Sequence, residues 1–205
     1  MSESVQNRIK DKLRKMSKGS IVFISDFSDI GTDTAVRQAM QRLSKKEFII
    51  RLSQGIYYYP KVDKLLGMIK PSADQIAEAI KNRDQARIIP TGSYAQYRLG
   101  LTTQIPMNIV YLTDGSPRKV QVGNQKITFK KTNPKSLSVE HALTSLIIQA
   151  LREIGKENIE QNHLNQIKDI IEKSNESKKI RENIKYAPVW IQKHILNVLN
   201  SYDNE

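Results

Sequence analysis

Residues 32–60, TDTAVRQAMQRLSKKEFIIRLSQGIYYYP, switch once from helical to alternating hydrophobic spacing. Few small folds accommodate that switch. Thr32 and Asp33 are residue types that cap a helix N-terminus. Val36, Ala39, Met40 and Leu43 then recur on one face of a helix over 32–46. At about 100° per residue, Thr34, Gln38, Gln41 and Lys45 fall on the opposite face, with Arg37 and Arg42 on its flanks. Phe48, Ile49, Ile50 and Leu52 make one strand-like run, and Ile56 to Tyr59 make the next. Ser53-Gln54-Gly55 separates them as a turn in which glycine takes a positive φ without steric cost. Pro60 ends the second strand.

The preceding residues complete the pattern. Val5, Ile9, Leu13 and Met16 share a face of a helix over 3–16, capped by Ser2 or Ser4 and stopped at Lys18-Gly19. Ile21 to Ile24 form a short strand, and DFSDI a brief second helix ended by Gly31. Helix, strand, helix, helix, strand, strand is the order of a winged helix-turn-helix. The strand after the first helix is free to pair with the wing. Alternation along Tyr57-Tyr58-Tyr59 puts two phenols on one side and the middle one on the other. One phenol is therefore expected near the wing rather than a three-ring stacking platform.

Charge indicates what the helix meets. Lys and Arg number 33 against 21 Asp and Glu, a formal balance of +12, which suits a polyanion such as nucleic acid. A helix fits the major groove. On that reading Thr34, Arg37, Gln38, Gln41, Arg42 and Lys45 face DNA. Arg51 on the wing strand joins Lys45 and Lys46 against phosphate, and Arg8, Lys10, Lys12, Arg14 and Lys15 of the first helix add to the basic surface. The same side chains also suit plain solvation, and a winged helix can bind protein, because fold does not dictate function.

Beyond residue 62 the pattern changes. Residues 63–75, with Gly67 and Pro71, form a connector, and 76–205 form a second, mixed α/β domain. The segments ARIIPTG and MNIVYLT are strand-like, and KVQVGNQKITFKK is a hairpin about Gly123-Asn124. Apolar stripes after Ser138, through Leu143, Leu146 and Ile147, then Leu164, Ile167 and Ile171, then Ile191, Ile195 and Leu199, are helical. The expected class is therefore α/β (α+β), with an N-terminal winged helix over 1–62 and a C-terminal mixed domain ending in helices.

Strand, Gly92-Ser93, helix, strand resembles the nucleotidyltransferase framework, in which the Gly-Ser turn helps hold a triphosphate and the next strand bears a carboxylate pair for two Mg²⁺ ions. Here that strand reads Met107-Asn108-Ile109-Val110, and no Asp or Glu occurs between Asp84 and Asp114. Phosphoryl transfer needs those carboxylates to hold the charge-neutralising metals. The framework, if kept, is degenerate, and a divergent nucleotidyltransferase is the lesser alternative. There is no cysteine, hence no disulfide, thiolate ligand or thiol nucleophile. His141, His163 and His194 lie on separate helical patterns without ligand partners at i+3 or i+4. No catalytic residue, metal or cofactor is expected. No apolar run reaches the roughly 20 residues that span a bilayer, and MSESVQNRIK lacks a signal-peptide core, so a cytoplasmic chain with no membrane role is expected.

RLSKKEFIIRLSQGIYYYPK and GSYAQYRLGLTTQIP resemble, in that order, two blocks of the AbiE-type antitoxins of type IV toxin–antitoxin systems. The resemblance covers residues 1 to about 130 and, loosely, the helical remainder. It implies a bacterial transcriptional repressor that binds double-stranded DNA at its own promoter, with the DNA face mapping onto Arg37, Gln38, Gln41, Arg42 and Lys45. It also implies a partner, a nucleotidyltransferase-like toxin encoded beside it.

Overall fold

A computed structural model describes residues 4–133 and 137–202. The chain is a mixed α/β protein divided into two compact units, residues 1–80 with 119–124, and residues 81–118 with 125–205.

In the first unit, α1 (Val5–Arg14) is capped by Ser4, whose hydroxyl accepts from the Asn7 amide, and buries Ile9 and Leu13. β1 (Ile21–Phe23) runs into a 3-10 helix, Ile24–Phe27, two residues earlier than the brief second helix expected at DFSDI. The Asp26 carboxylate accepts the Phe23 amide at 2.8 Å, which locks that helix to the strand end. α2 (Asp33–Lys45) starts at Thr32, whose Oγ1 accepts the Ala35 amide at 3.3 Å. Its buried face is Val36, Ala39, Met40 and Leu43. β2 (Ile50–Ser53) and β3 (Ile56–Tyr58) follow, and the sheet order is β1-β3-β2 with both pairings antiparallel. β3 is thus the central strand although it comes last, paired on one side with the strand that follows the first helix. Helices and sheet close one core around Ile9, Leu13, Phe27, Met40, Leu43 and Ile49.

Two features of this unit differ from expectation. Tyr57, Tyr58 and Tyr59 are all buried, so no phenol is left beside the wing. Tyr57 and Tyr59 belong to the core cluster, whereas the Tyr58 hydroxyl donates to the Ile69 carbonyl at 2.6 Å. The alternation holds, and the odd ring is covered from the far side. The covering element lies in the expected connector, where β4 (Lys61–Asp63) and β5 (Gly67–Ile69) make a two-stranded antiparallel hairpin.

α3 (Ala73–Asp84) carries the chain into the second unit. There β6 (Ile88–Thr91), α4 (Ser93–Leu99) and β7 (Asn108–Thr113) precede the hairpin β8 (Arg118–Val122) and β9 (Gln125–Lys131), of which residues 119–124 group with the first unit. The strand order is β6-β7-β9-β8, with β6 antiparallel and β9 parallel to β7. Tyr111 on β7 stacks on Phe129 of β9 (centroids 5.3 Å apart) and takes Tyr94 of α4 edge-on at 5.7 Å. α5 (Ala142–Ile154), α6 (Gln161–Ser174), α7 (Ser177–Asn183) and α8 (Val189–Tyr202) close a separate core on Ile147, Leu151, Ile167, Ile171, Ile191 and Ile195. No helix among the described residues is long and apolar enough to cross a membrane.

Candidate nucleic-acid interface

α2 is held by its apolar face and by a close approach at its start. A β-carbon at Gly31 would lie 3.1 Å from Val5 Cγ2, so a larger residue there would make the Val5 side chain give by a few tenths of an ångström. The remaining face is open: Thr34, Arg37, Gln38, Gln41, Arg42 and Lys45 are all exposed. The structure therefore gathers six of the seven expected contact residues on one side of one helix. The seventh, Arg51, is exposed on β2, opposite Tyr57 of β3, where its Nε donates to the Ser53 carbonyl at 3.4 Å. A register shift between Arg51 and Ser53 bends the strand just before the Gln54-Gly55 turn.

Arg37 is not an idle cation. Its Nε donates to Asp33 Oδ2 at 2.6 Å, one helical turn back, with both side chains more than half exposed. The carboxylate beside it raises the guanidinium's already high pKa. The geometry pre-orders Arg37 along the helix, and a competing phosphate or base edge must share it with Asp33. Sequence reading overlooked this partner, although Asp at i and Arg at i+4 is a readable pairing signal.

Three basic side chains of the first helix have partners within the unit. Lys12 Nζ donates to Asp29 at 2.8 Å and sits 5.7 Å from the Phe27 ring centroid. The Lys12 ammonium in turn holds the Asp29 carboxyl below its usual range. Arg14 pairs with Asp11 at 2.9 Å, and Lys10 lies over the Phe48 ring at 5.5 Å. These cations serve the first unit's own surface.

In the second unit the Gly92-Ser93 segment joins β6 to α4. Gly92 precedes α4 with φ 67° and ψ −152°, a conformation that only glycine adopts freely. Asn108 and Val110 of β7 lie in register with Lys126 and Thr128 of β9, so neither strand supplies a carboxylate there. The Glu153 carboxylate of α5 lies 3.6 Å from where a Gly92 β-carbon would stand. Among the described residues no group of three or more His, Cys, Asp or Glu could hold a metal ion. His141 at the start of α5 approaches Thr144 Oγ1 at 2.7 Å, a local contact, and Glu176 Oε2 at 3.3 Å, a contact between distant residues that no local spacing signals.

Residues 8–180 match the model of a family of unknown function, DUF6088. No curated protein matches. Among solved structures the chain is similar to the crystal structure of the RV2827C protein from Mycobacterium tuberculosis. The identity is 13% and the TM-score 0.50, over 96% of this chain and 76% of that one. That likeness concerns the fold alone.

Proposed function

The chain belongs to the DUF6088 family of unknown function, and for it we propose a DNA-binding transcriptional repressor built on a winged helix-turn-helix. α2 is the recognition helix, β2–β3 the wing, and α1 with β1 the support. The observation that carries this reading is the division of α2. One face is closed into the core by Val36, Ala39, Met40 and Leu43, and the other presents Thr34, Arg37, Gln38, Gln41, Arg42 and Lys45 to solvent. Arg and Gln in that arrangement suit guanine and adenine edges, and Arg42, Lys45 and Arg51 suit phosphate. The +12 charge supports the same partner.

Within this proposal the protein represses its own operon as an AbiE-type antitoxin in the cytoplasm, and its second unit counteracts a nucleotidyltransferase-like toxin. That unit resembles a nucleotidyltransferase framework in strand–Gly-Ser–helix–strand order. The amide and hydrocarbon side chains at Asn108 and Val110, and Glu153 beside Gly92, favour a binding role over phosphoryl transfer.

The test is a salt titration on two duplexes, one from the chain's own upstream region and one of scrambled sequence. The reading predicts tighter binding to the first at every salt concentration, with both affinities falling as salt rises. Equal affinity for both duplexes sinks the repressor reading, and no binding to either points to a winged helix that meets protein.

A further inference from the structure

The β4–β5 hairpin displays side chains that a connector would hide. Leu65 is 95% exposed, Leu66 81%, Val62 63% and Met68 48%. Single exposed leucines are ordinary, but four large apolar side chains on one short hairpin are not. Val62 and Met68 are cross-strand partners, so they form one small apolar face that runs into the Leu65-Leu66 tip. The tip is shaped, because Asp63 Oδ1 accepts the amides of Leu65 and Leu66 at 2.8 and 3.0 Å. Those two amides hold the Asp63 carboxyl below its usual range. The base is anchored through the Tyr58 hydroxyl on the Ile69 carbonyl.

The charges around this tip are of one sign. Lys61, Lys64 and Lys70 are exposed, and the only carboxylate of the hairpin, Asp63, is engaged in forming the turn. An apolar hairpin with Lys64 in its turn and Lys61 and Lys70 at its base complements a polyanion with an apolar interior. Stacked bases between two phosphate backbones have that chemistry.

Topology puts the hairpin at the end of β3 opposite the Gln54-Gly55 turn. The Gln54-Gly55 turn lies at the Ile56 end of β3. The hairpin departs from the other end, after Tyr58, where Ile50 pairs and where the chain returns from the C-terminus of α2. Phe48, just beyond α2, meets Tyr59 at 5.7 Å at that same end. A hairpin that projects beside the C-terminal end of a helix lying in a major groove has the adjoining minor groove within reach.

We propose that the β4–β5 hairpin is a second wing that enters the minor groove beside the α2 site, with Leu65 and Leu66 wedged against a base step and Lys61, Lys64 and Lys70 against the flanking phosphates. The inference rests on the DNA-binding reading above, and it adds a contact that α2 does not make. Wedging pays unstacking at one step in return for a longer contact, and it reads groove width and deformability rather than base edges.

The test uses the full chain and duplexes from its own upstream region, with 2-aminopurine placed at successive adenines. The parent should raise 2-aminopurine fluorescence at a step just outside the major-groove contact. The double variant Leu65→Ser/Leu66→Ser should abolish that rise and weaken binding several-fold, with an unchanged circular dichroism spectrum, since both side chains are outside the core. Lys61→Gln/Lys64→Gln/Lys70→Gln should flatten the salt dependence by about three units, about one per phosphate contact. If the parent binds but unstacks no base, and the leucine variant binds equally well, the hairpin inference is overturned while α2 keeps its role. A parent that binds neither its upstream duplex nor a scrambled one overturns both readings.

Discussion

Met40→Ala separates the two faces of α2 by attacking the one that should never touch DNA. Met40 is fully buried in the cluster that joins α1, β1, α2 and β3, with Ile9, Leu13, Phe27, Leu43 and Ile49 among its members. Truncation to alanine in a closed core of this kind costs about 2–5 kcal/mol, the spread reflecting how far the site can collapse. Relative to the roughly 5–15 kcal/mol that stabilises a typical domain, this is a large fraction. At about 1.4 kcal/mol per factor of ten, backbone amides that exchange only through unfolding of this unit should lose protection by about 30-fold to several-thousand-fold. Hydrogen exchange read by mass spectrometry on α1 and α2 peptides measures this directly, and peptides from α6 and α8 provide the internal comparison. A loss under about threefold in α2 would refute the reasoning, because Met40 would then lie in a region that already opens on its own.

Two further perturbations address charge. Asp33→Asn removes the carboxylate that holds Arg37 at 2.6 Å and an anion from the face offered to DNA. Duplex binding should tighten and the salt slope steepen by up to about one unit, and weaker binding in fluorescence anisotropy would contradict that assignment. Asp114 accepts both the amide and Nε of Arg87 at 2.8 Å, and the hydrogen bond from the Arg87 guanidinium leads in holding its carboxyl below the usual range. A depressed carboxylate stabilises fully above its unfolded value of about 3.9 and loses that contribution as pH falls through the lower folded value. The melting temperature of Asp114→Asn should therefore lie below the parent's at neutral pH, and the gap should close below about pH 4. A gap constant across pH would show that the ion pair contributes nothing that titrates.

The parts of the fold that were legible in the sequence are those whose signal is local. Val36, Ala39, Met40 and Leu43 lie on the buried face of α2 as their spacing requires, and Gly123-Asn124 marks the β8–β9 turn. The exposure of Thr34, Arg37, Gln38, Gln41, Arg42 and Lys45 follows from the same periodicity. What was missed depends on contacts between distant residues. The segment KVDKLLGMIK has no polar–apolar alternation that faces a core, since Val62 and Met68 both face solvent, so it passed for a connector. Tyr58 is covered only because Ile69 returns to it. The parallel pairing of β7 with β9, and the ion pair of Arg118 with Asp84, join residues that no short window compares. Asp33–Arg37 is the exception. It was readable at i, i+4, and was overlooked because Asp33 had been assigned to the cap.

The central claim is that the solvent face of α2 reads DNA, and the most direct measurement compares Arg37→Ala, Gln41→Ala and Lys45→Ala on the chain's own upstream duplex and on random DNA across salt concentrations. All three side chains are exposed, so each variant should fold as the parent does. Arg37→Ala and Gln41→Ala should each lose about tenfold or more on the upstream duplex and much less on random DNA, as expected for side chains that contact base edges. Lys45→Ala should weaken both duplexes alike and reduce the salt slope by about one unit, as a phosphate contact does. If Arg37→Ala and Gln41→Ala both bind the upstream duplex as tightly as the parent, α2 is not a recognition helix, and its basic face serves some partner other than a DNA groove.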